Sequence, residues 1–139
     1  LWLSARRIHG KNGASPEVDR VVTELGLQTH LRRSVGELAH GQRQIVEIGL
    51  VLCQRPKLVL LDEPAAGITG AEADRLVELI HGINQQAAVV VVDHDMNFVR
   101  MLGGTVTVLH QGAVLMEGST DAVLNNAKVR EVYIGNRAK

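Results

Sequence analysis

Residues 58–63 read Leu-Val-Leu-Leu-Asp-Glu, an apolar run ending in adjacent carboxylates, and residues 89–95 read Val-Val-Val-Val-Asp-His-Asp, a second apolar run ending in an acid and a histidine. In open α/β sheets, chemistry gathers at the carboxyl ends of the strands. An Asp-Glu pair at such an end can hold Mg²⁺ on the first carboxylate, directly or through water, and act on an attacking water with the second. Asp62 takes the metal role in this reading and Glu63 the role of base. A strand that merely leaves the core for a polar turn would look the same, so the acids alone leave both readings open. Leu38, Ala39, His40, Gly41 and Gln42 form a further candidate. If Gly41 and Gln42 open a helix, its unpaired N–H groups and positive dipole end make an anion site, and glycine lets a phosphate approach the backbone. An ordinary loop-to-helix junction is the competing reading.

The elements that must position these groups follow from apolar periodicity. Residues 58–61 are bounded by Pro56 and by Asp62-Glu63-Pro64, as a parallel strand covered on both faces would be, and residues 89–92 repeat the pattern. Between them Ala73, Leu76, Val77, Ile80 and Ile83 recur at helical spacing, so the order is strand, crossover helix, strand, with a right-handed connection. From Gly41 to about Gln54, Ile45, Ile48 and Leu52 line one face while Val46, Leu50 and Cys53 fill much of the rest, which predicts a mostly buried helix ended by Arg55-Pro56. Upstream, Arg6, Arg7, Lys11, Asn12 and Gly13 show no period and predict an irregular lead-in. Ser15-Pro16 then starts a helix carrying Val18, Val21, Val22 and Leu25 until Gly26. Downstream, a helix begins near Asp95, and residues 105–109 and 113–117 join through His110-Gln111-Gly112 as a hairpin. Ser119-Thr120-Asp121 caps a last helical region with Val123, Leu124, Val129, Val132 and Tyr133.

At 139 residues and 45% hydrophobic, the chain has the content of one globular domain. Basic and acidic residues balance at 15 each, so no global field attracts nucleic acid or an anionic membrane. A single cysteine, Cys53, excludes an internal disulfide, fits a reducing compartment and reads as a small buried hydrophobe. No apolar run is long enough to span a bilayer, so membrane association is expected only through a partner protein, without direct insertion. The start at Leu1-Trp2, without methionine, raises the expectation of an upstream portion. His9, His30, His81 and His110, and His40 taken by itself, show no paired metal-ligand spacing and are expected in solvent or loop positions. Arg6, Arg7, Arg32 and Arg33 read as solvated charges.

Taken together, LAHGQ at 38–42, LVLLDEP at 58–64, AAGIT at 65–69 and VVVVDHD at 89–95 resemble, in order and spacing, the signature, Walker B, D-loop and switch-histidine segments of ATP-binding-cassette (ABC) ATPases. EIG at 47–49, PAAG at 64–67 and HDMNFVR at 94–100 add to the likeness. VTVLHQGAVLMEGS at 106–119 and REVYIGN at 130–136 resemble the importer ATPases for branched-chain amino acids, amides and urea, the urea type most. The resemblance implies that Leu38, Ala39, His40, Gly41 and Gln42 meet the γ-phosphate of a nucleotide held mainly by a partner subunit. It makes Asp62 the Mg²⁺-associated carboxylate, Glu63 the catalytic base and His94 the switch residue at the γ-phosphate. Residues 66–69, with Gly67 and Thr69, become the D-loop that crosses to the other subunit. Two departures stand out: Ala39 replaces the usual signature serine, and Thr69 stands where aspartate is usual.

The implied fold class is α/β, a partial P-loop NTPase of the ABC kind: a parallel sheet with flanking helices and a C-terminal β-hairpin. Residues 1–55 would belong to the helical signature subdomain and 56–139 to the C-terminal part of the RecA-like core. A phosphate-binding loop, G-x-x-x-x-G-K-[ST], does not occur in the sequence, so this chain is expected to bind ATP weakly or not at all and to hydrolyse none by itself. In that family the strand before this loop lies between the strands at 89–92 and 105–109. Its absence predicts that these two strands close up, or that two copies exchange elements. The implied cofactors are ATP and Mg²⁺, and the implied partners are a second ATPase subunit and transmembrane permease subunits. The implied place is the cytoplasmic side of the inner membrane. A non-catalytic dimerisation or docking module is the alternative, and the C-terminal half of a DNA-repair ATPase is disfavoured by the charge balance and the lack of heptads.

Overall fold

The computed structural model describes residues 1–134, so the last two residues of the 130–136 stretch lie outside the described residues. The chain forms two compact units, Leu1–Val92 and Asp93–Lys139.

The first unit opens with α1 (Trp2–Glu24), interrupted at Gly10, whose φ of 69° and ψ of −176° only glycine adopts freely. An irregular lead-in was expected; these residues are helical instead, and the helix runs through Pro16 rather than starting at it. The reason is tertiary. Ala5 and Ala14 are buried, and the His9 ring bonds the Cys53 carbonyl at 2.9 Å. Such contacts override weak local propensity. Gly26, at φ 65°, ends the helix, with Leu27 N–H reaching the Val22 carbonyl and Gly26 N–H the Thr23 carbonyl.

Helix α2 (His40–Leu52) packs on α1 at Gly49, where an added Cβ would stand 2.9 Å from Leu25 and 3.0 Å from Leu1. The burial is less complete than the mostly buried helix predicted. Ile48, Gly49 and Leu52 face inward, while Leu50 and Val51 are exposed. Cys53 is fully buried, and burial pushes its thiol up from its ordinary value.

Strand β1 (Leu58–Asp62) pairs in parallel with β2 (Ala88–Val92) in a two-stranded sheet, and α3 (Gly70–Asn84) is the crossover. Leu76, Val77, Ile80 and Ile83 of α3 are buried, as the stripe predicted. The expectation of strands covered on both faces fails. Val59 is buried, but Leu58, Leu60, Val90 and Val92 are 50, 70, 49 and 61% exposed. Alternation along each strand puts these four on one face, and no described element of the first unit covers it.

The second unit begins with α4 (Met96–Leu102), whose N-cap Asp95 accepts from the N–H groups of Asn97 and Phe98. Phe98 is buried. The hairpin of β3 (Thr105–His110) and β4 (Ala113–Ser119) turns at Gln111 and Gly112, with φ of 50° and 78°. Positive φ at both central residues is what a two-residue turn matching strand twist requires. Helix α5 (Thr120–Leu124) is capped by Ser119 and followed by α6 (Ala127–Ile134), with Val108, Val123 and Val129 forming the core. Tyr133 donates its hydroxyl proton to the Leu109 carbonyl at 2.9 Å. Among the described residues β2 is paired with β1 and β3 with β4. Each strand keeps to its local partner, β1 or β4, across a short connection or a right-sized crossover.

Glu17 on α1 is the buried charge of the first unit. Its carboxylate, 2% exposed, meets Arg20 at 2.7 Å and Arg55 at 2.7 Å. Burial pushes its pKa up, but hydrogen bonds from Arg55 and Arg20, with their charges, outweigh this and hold it below the ordinary value. A depressed folded-state pKa contributes stability above the unfolded value that is lost as pH falls through the folded one. Glu17→Gln is therefore expected to cost about 2 kcal/mol at neutral pH and to flatten the loss of stability below the ordinary glutamate range. Urea denaturation of both forms across acid and neutral pH checks this.

Candidate nucleotide-facing site

The sheet sets the first part of the site. Asp62 lies opposite Val92 at the carboxyl end of the parallel pair, and the Glu63 N–H extends the ladder to the Val92 carbonyl at 2.8 Å. Beyond that rung the chain turns sharply. Glu63 has a φ of 46°, in the left-handed region that costs a residue with a side chain about 1–2 kcal/mol. Such strain collects at sites where geometry serves function. Both carboxylates are exposed at this strand end.

From Glu63 the chain enters a turn over residues 65–68, with Ala66 N–H bonded to the Glu63 carbonyl and Gly67 at φ 72°. Thr69 is the N-cap of α3; its N–H and hydroxyl both donate to Glu72 at 2.8 Å. Those two bonds, the backbone one first, hold the Glu72 carboxyl below its ordinary value. An aspartate at position 69 would set a second carboxylate against Glu72, so threonine suits this cap.

The start of α2 comes to the same turn. The His40 ring nitrogen Nε2 lies 3.1 Å from the Ala66 carbonyl, and Gly41 is buried against Glu72. Leu38 is buried, and the Gln42 side chain accepts from the Ala39 N–H at 3.1 Å and approaches His30. Ala39 supplies no side-chain cap, so the first-turn amides of α2 lack a side-chain acceptor at the N-cap. The structure thus brings His40 and Gly41, at the start of α2, to the turn that holds Gly67, leads to Thr69 and continues from Asp62 and Glu63.

His94 belongs to the second unit, two residues beyond the end of β2. Its ring is exposed and stands 3.9 Å from the Asp93 carboxylate, which is itself 2% exposed and accepts the Asp95 N–H at 2.9 Å. Asp95 caps the next helix, as the helix start expected near it requires, and Asp93, read only as the acid that ends the strand, faces the His94 ring. The signal was the D-H-D spacing at a strand end.

The pattern of the family described as ABC transporter matches residues 3–66, which takes in α1, α2, β1 and both acids. The branched-chain amino acid transport ATP-binding protein BraF of Pseudomonas aeruginosa is 35% identical over 114 residues, covering 81% of this chain and 45% of that protein. LivG of Escherichia coli, described in the same terms, is 31% identical over 130 residues, covering 90% of this chain and 51% of that one. The chain belongs to the ABC transporter ATPase family. It spans about half the length of the curated relatives it matches. An ATP-binding cassette of an ABC transporter in its ADP conformation superposes with a TM-score of 0.80 at 28% identity, over 86% of this chain and 49% of that chain. A nucleotide-free cassette gives 0.79 at 27% identity, over 86% and 49%.

Within this member of the ABC transporter family, Gly41 has a packing duty. A Cβ added there would lie 2.8 Å from the Glu72 carboxylate oxygen, which Thr69 holds in place. Alanine would ordinarily favour the helix by up to about 1 kcal/mol, but here it must displace a capping carboxylate, a loss of about 1 kcal/mol or more. Gly41→Ala is expected to destabilise the chain, and to become neutral or stabilising in a Glu72→Ala background. A double-mutant cycle by chemical denaturation reads the coupling.

Proposed function

We propose that this chain contributes to the ATP-hydrolysing subunit of an ABC importer for branched-chain amino acids, amides or urea, the names of its relatives supporting the amino-acid class. The observation that carries the proposal is Asp62 and Glu63 at the carboxyl end of β1, continued by a turn that also meets the start of α2. Exposed oxygen donors at a strand end and uncapped helix amides fit Mg²⁺ and phosphate oxygens respectively. Asp62 would hold Mg²⁺, which when bound neutralises charge on the phosphates. Glu63 orients the attacking water and accepts its proton. The backbone at Ala39, His40, Gly41 and Gln42 offers N–H groups to the γ-phosphate of a nucleotide held mainly by a second ATPase subunit. His94 donates to the same phosphate, oriented by Asp93. Residues 66–69, with Gly67 and Thr69, cross to that subunit.

In this reading residues 1–55 serve in the helical signature subdomain and 56–139 in the ATPase core. The partners are a second ATPase subunit and permease subunits, on the cytoplasmic side of the membrane. Among the described residues no helix is long and apolar enough to cross a membrane, so attachment runs through the permease. A second reading, a docking module without catalysis, is favoured by the open face of Leu58, Leu60, Val90 and Val92, whose burial would contribute several kcal/mol to any association.

The sequence holds no phosphate-binding loop, so the test supplies one, with the N-terminal half of a related ABC ATPase fused in cis or added as a second chain. ATP turnover is expected in the wild type and should fall by at least about 10²-fold in Glu63→Gln, the usual scale for loss of a general base. A well-folded reconstituted protein without turnover would support the docking module instead.

A further inference from the structure

His40 does more in this fold than occupy a place in a phosphate-facing segment. Its ring is turned toward the 65–69 turn, with Nε2 donating to the Ala66 carbonyl at 3.1 Å. The same ring lies over Gly67, where an added Cβ would stand 3.6 Å from both Cδ2 and Nε2. Gly67 has a φ of 72°, a left-handed backbone that glycine permits without strain. One residue along, Gly41 is buried on Glu72, whose carboxylate fastens the Thr69 end of the turn. The turn is thus tied to α2 at Ala66 by the His40 ring and at Thr69 through Glu72. These contacts link residues far apart in sequence, and they join the segment expected to face phosphate to the one expected to cross to the other subunit.

We propose that His40 is a positioning residue that latches the 65–69 turn to the start of α2, so that the two segments move as one piece. Its effect on turnover rests on the function proposed above, whereas the latch itself does not. The hydrogen bond is exposed to solvent, so water competes for both partners and the latch is weak enough to open. That suits a contact that must set a geometry without freezing it. Glutamine can mimic the bond, because its amide nitrogen reaches about as far from the backbone as Nε2 and also donates; alanine cannot.

The latch is read first in this chain, by solvent exchange of the Ala66 and Ile68 amides, which bond the Glu63 and Ala65 carbonyls within the turn. Loss of one hydrogen bond of ordinary strength corresponds to about ten-fold easier opening. His40→Ala is expected to speed exchange at Ala66 and Ile68 by about that factor while the amides of β1 keep their wild-type rates, and His40→Gln to restore most of the protection. Unchanged exchange in His40→Ala, or no rescue by glutamine, would overturn the latch. The second reading is in the reconstituted ATPase. There His40→Ala should lower kcat by about ten-fold with KM for ATP little changed, and His40→Gln should recover it. A raised KM with unchanged kcat would mean that the ring contacts nucleotide directly and would overturn the positioning role. If the wild type shows no turnover, the proposed function fails while the exchange data still decide the latch.

Discussion

The parallel pairing of β1 with β2 is the constraint on which the rest depends. Five residues of each strand are in register, from Leu58 opposite Ala88 to Asp62 opposite Val92, and the Glu63 N–H adds a last rung to the Val92 carbonyl. Because the ladder ends there, Asp62 and Glu63 leave the sheet at a defined height and the chain after Val92 leaves beside them. A slip of one residue would turn Asp62 into the face lined by Val59. The strained φ of Glu63 follows from the same geometry: the backbone must break away from the strand direction as soon as the rung is made.

Glycines and caps then carry that geometry outward. Gly67 lets the turn fold back, Gly41 lets α2 approach Glu72, and Gly49 lets α1 lie close on α2. Glu72 links two of these sites, since it caps Thr69 and packs on Gly41 at once. On α1, Glu17 gathers Arg20 and Arg55, which ties the first helix to the segment that enters β1. Each tie is modest in energy, and together they bring residues 38–42 and 65–69 into one arrangement.

Much of this was legible in the sequence, for identifiable reasons. The strand-helix-strand order came from a strict apolar stripe at Leu76, Val77, Ile80 and Ile83 and from two valine- and leucine-rich runs ending in acids. The hairpin was marked by Gln111-Gly112, where positive φ is needed twice, and the end of α1 by Gly26. What could not be read is tertiary. The helical character of residues 2–9 depends on Ala5 and the His9 contact to Cys53, and local residue preference carries no trace of either. The open face of β1 and β2 was misread because a continuous apolar run signals burial on both faces, whereas here no described element of the first unit covers one of them. In the site, the acids and LAHGQ could be picked out by pattern, but the turning of the His40 ring onto Ala66 and the Asp93 contact to His94 are matters of side-chain direction that spacing does not encode.

The most direct test of the account is the last rung of the sheet. Scalar coupling across a hydrogen bond, between the Glu63 amide nitrogen and the Val92 carbonyl carbon, is measurable by NMR on labelled protein. A resolved coupling is expected for this pair, together with an amide that exchanges slowly. An uncoupled Glu63 amide exchanging as fast as an unfolded chain, while β1 and β2 remain paired elsewhere, would contradict it.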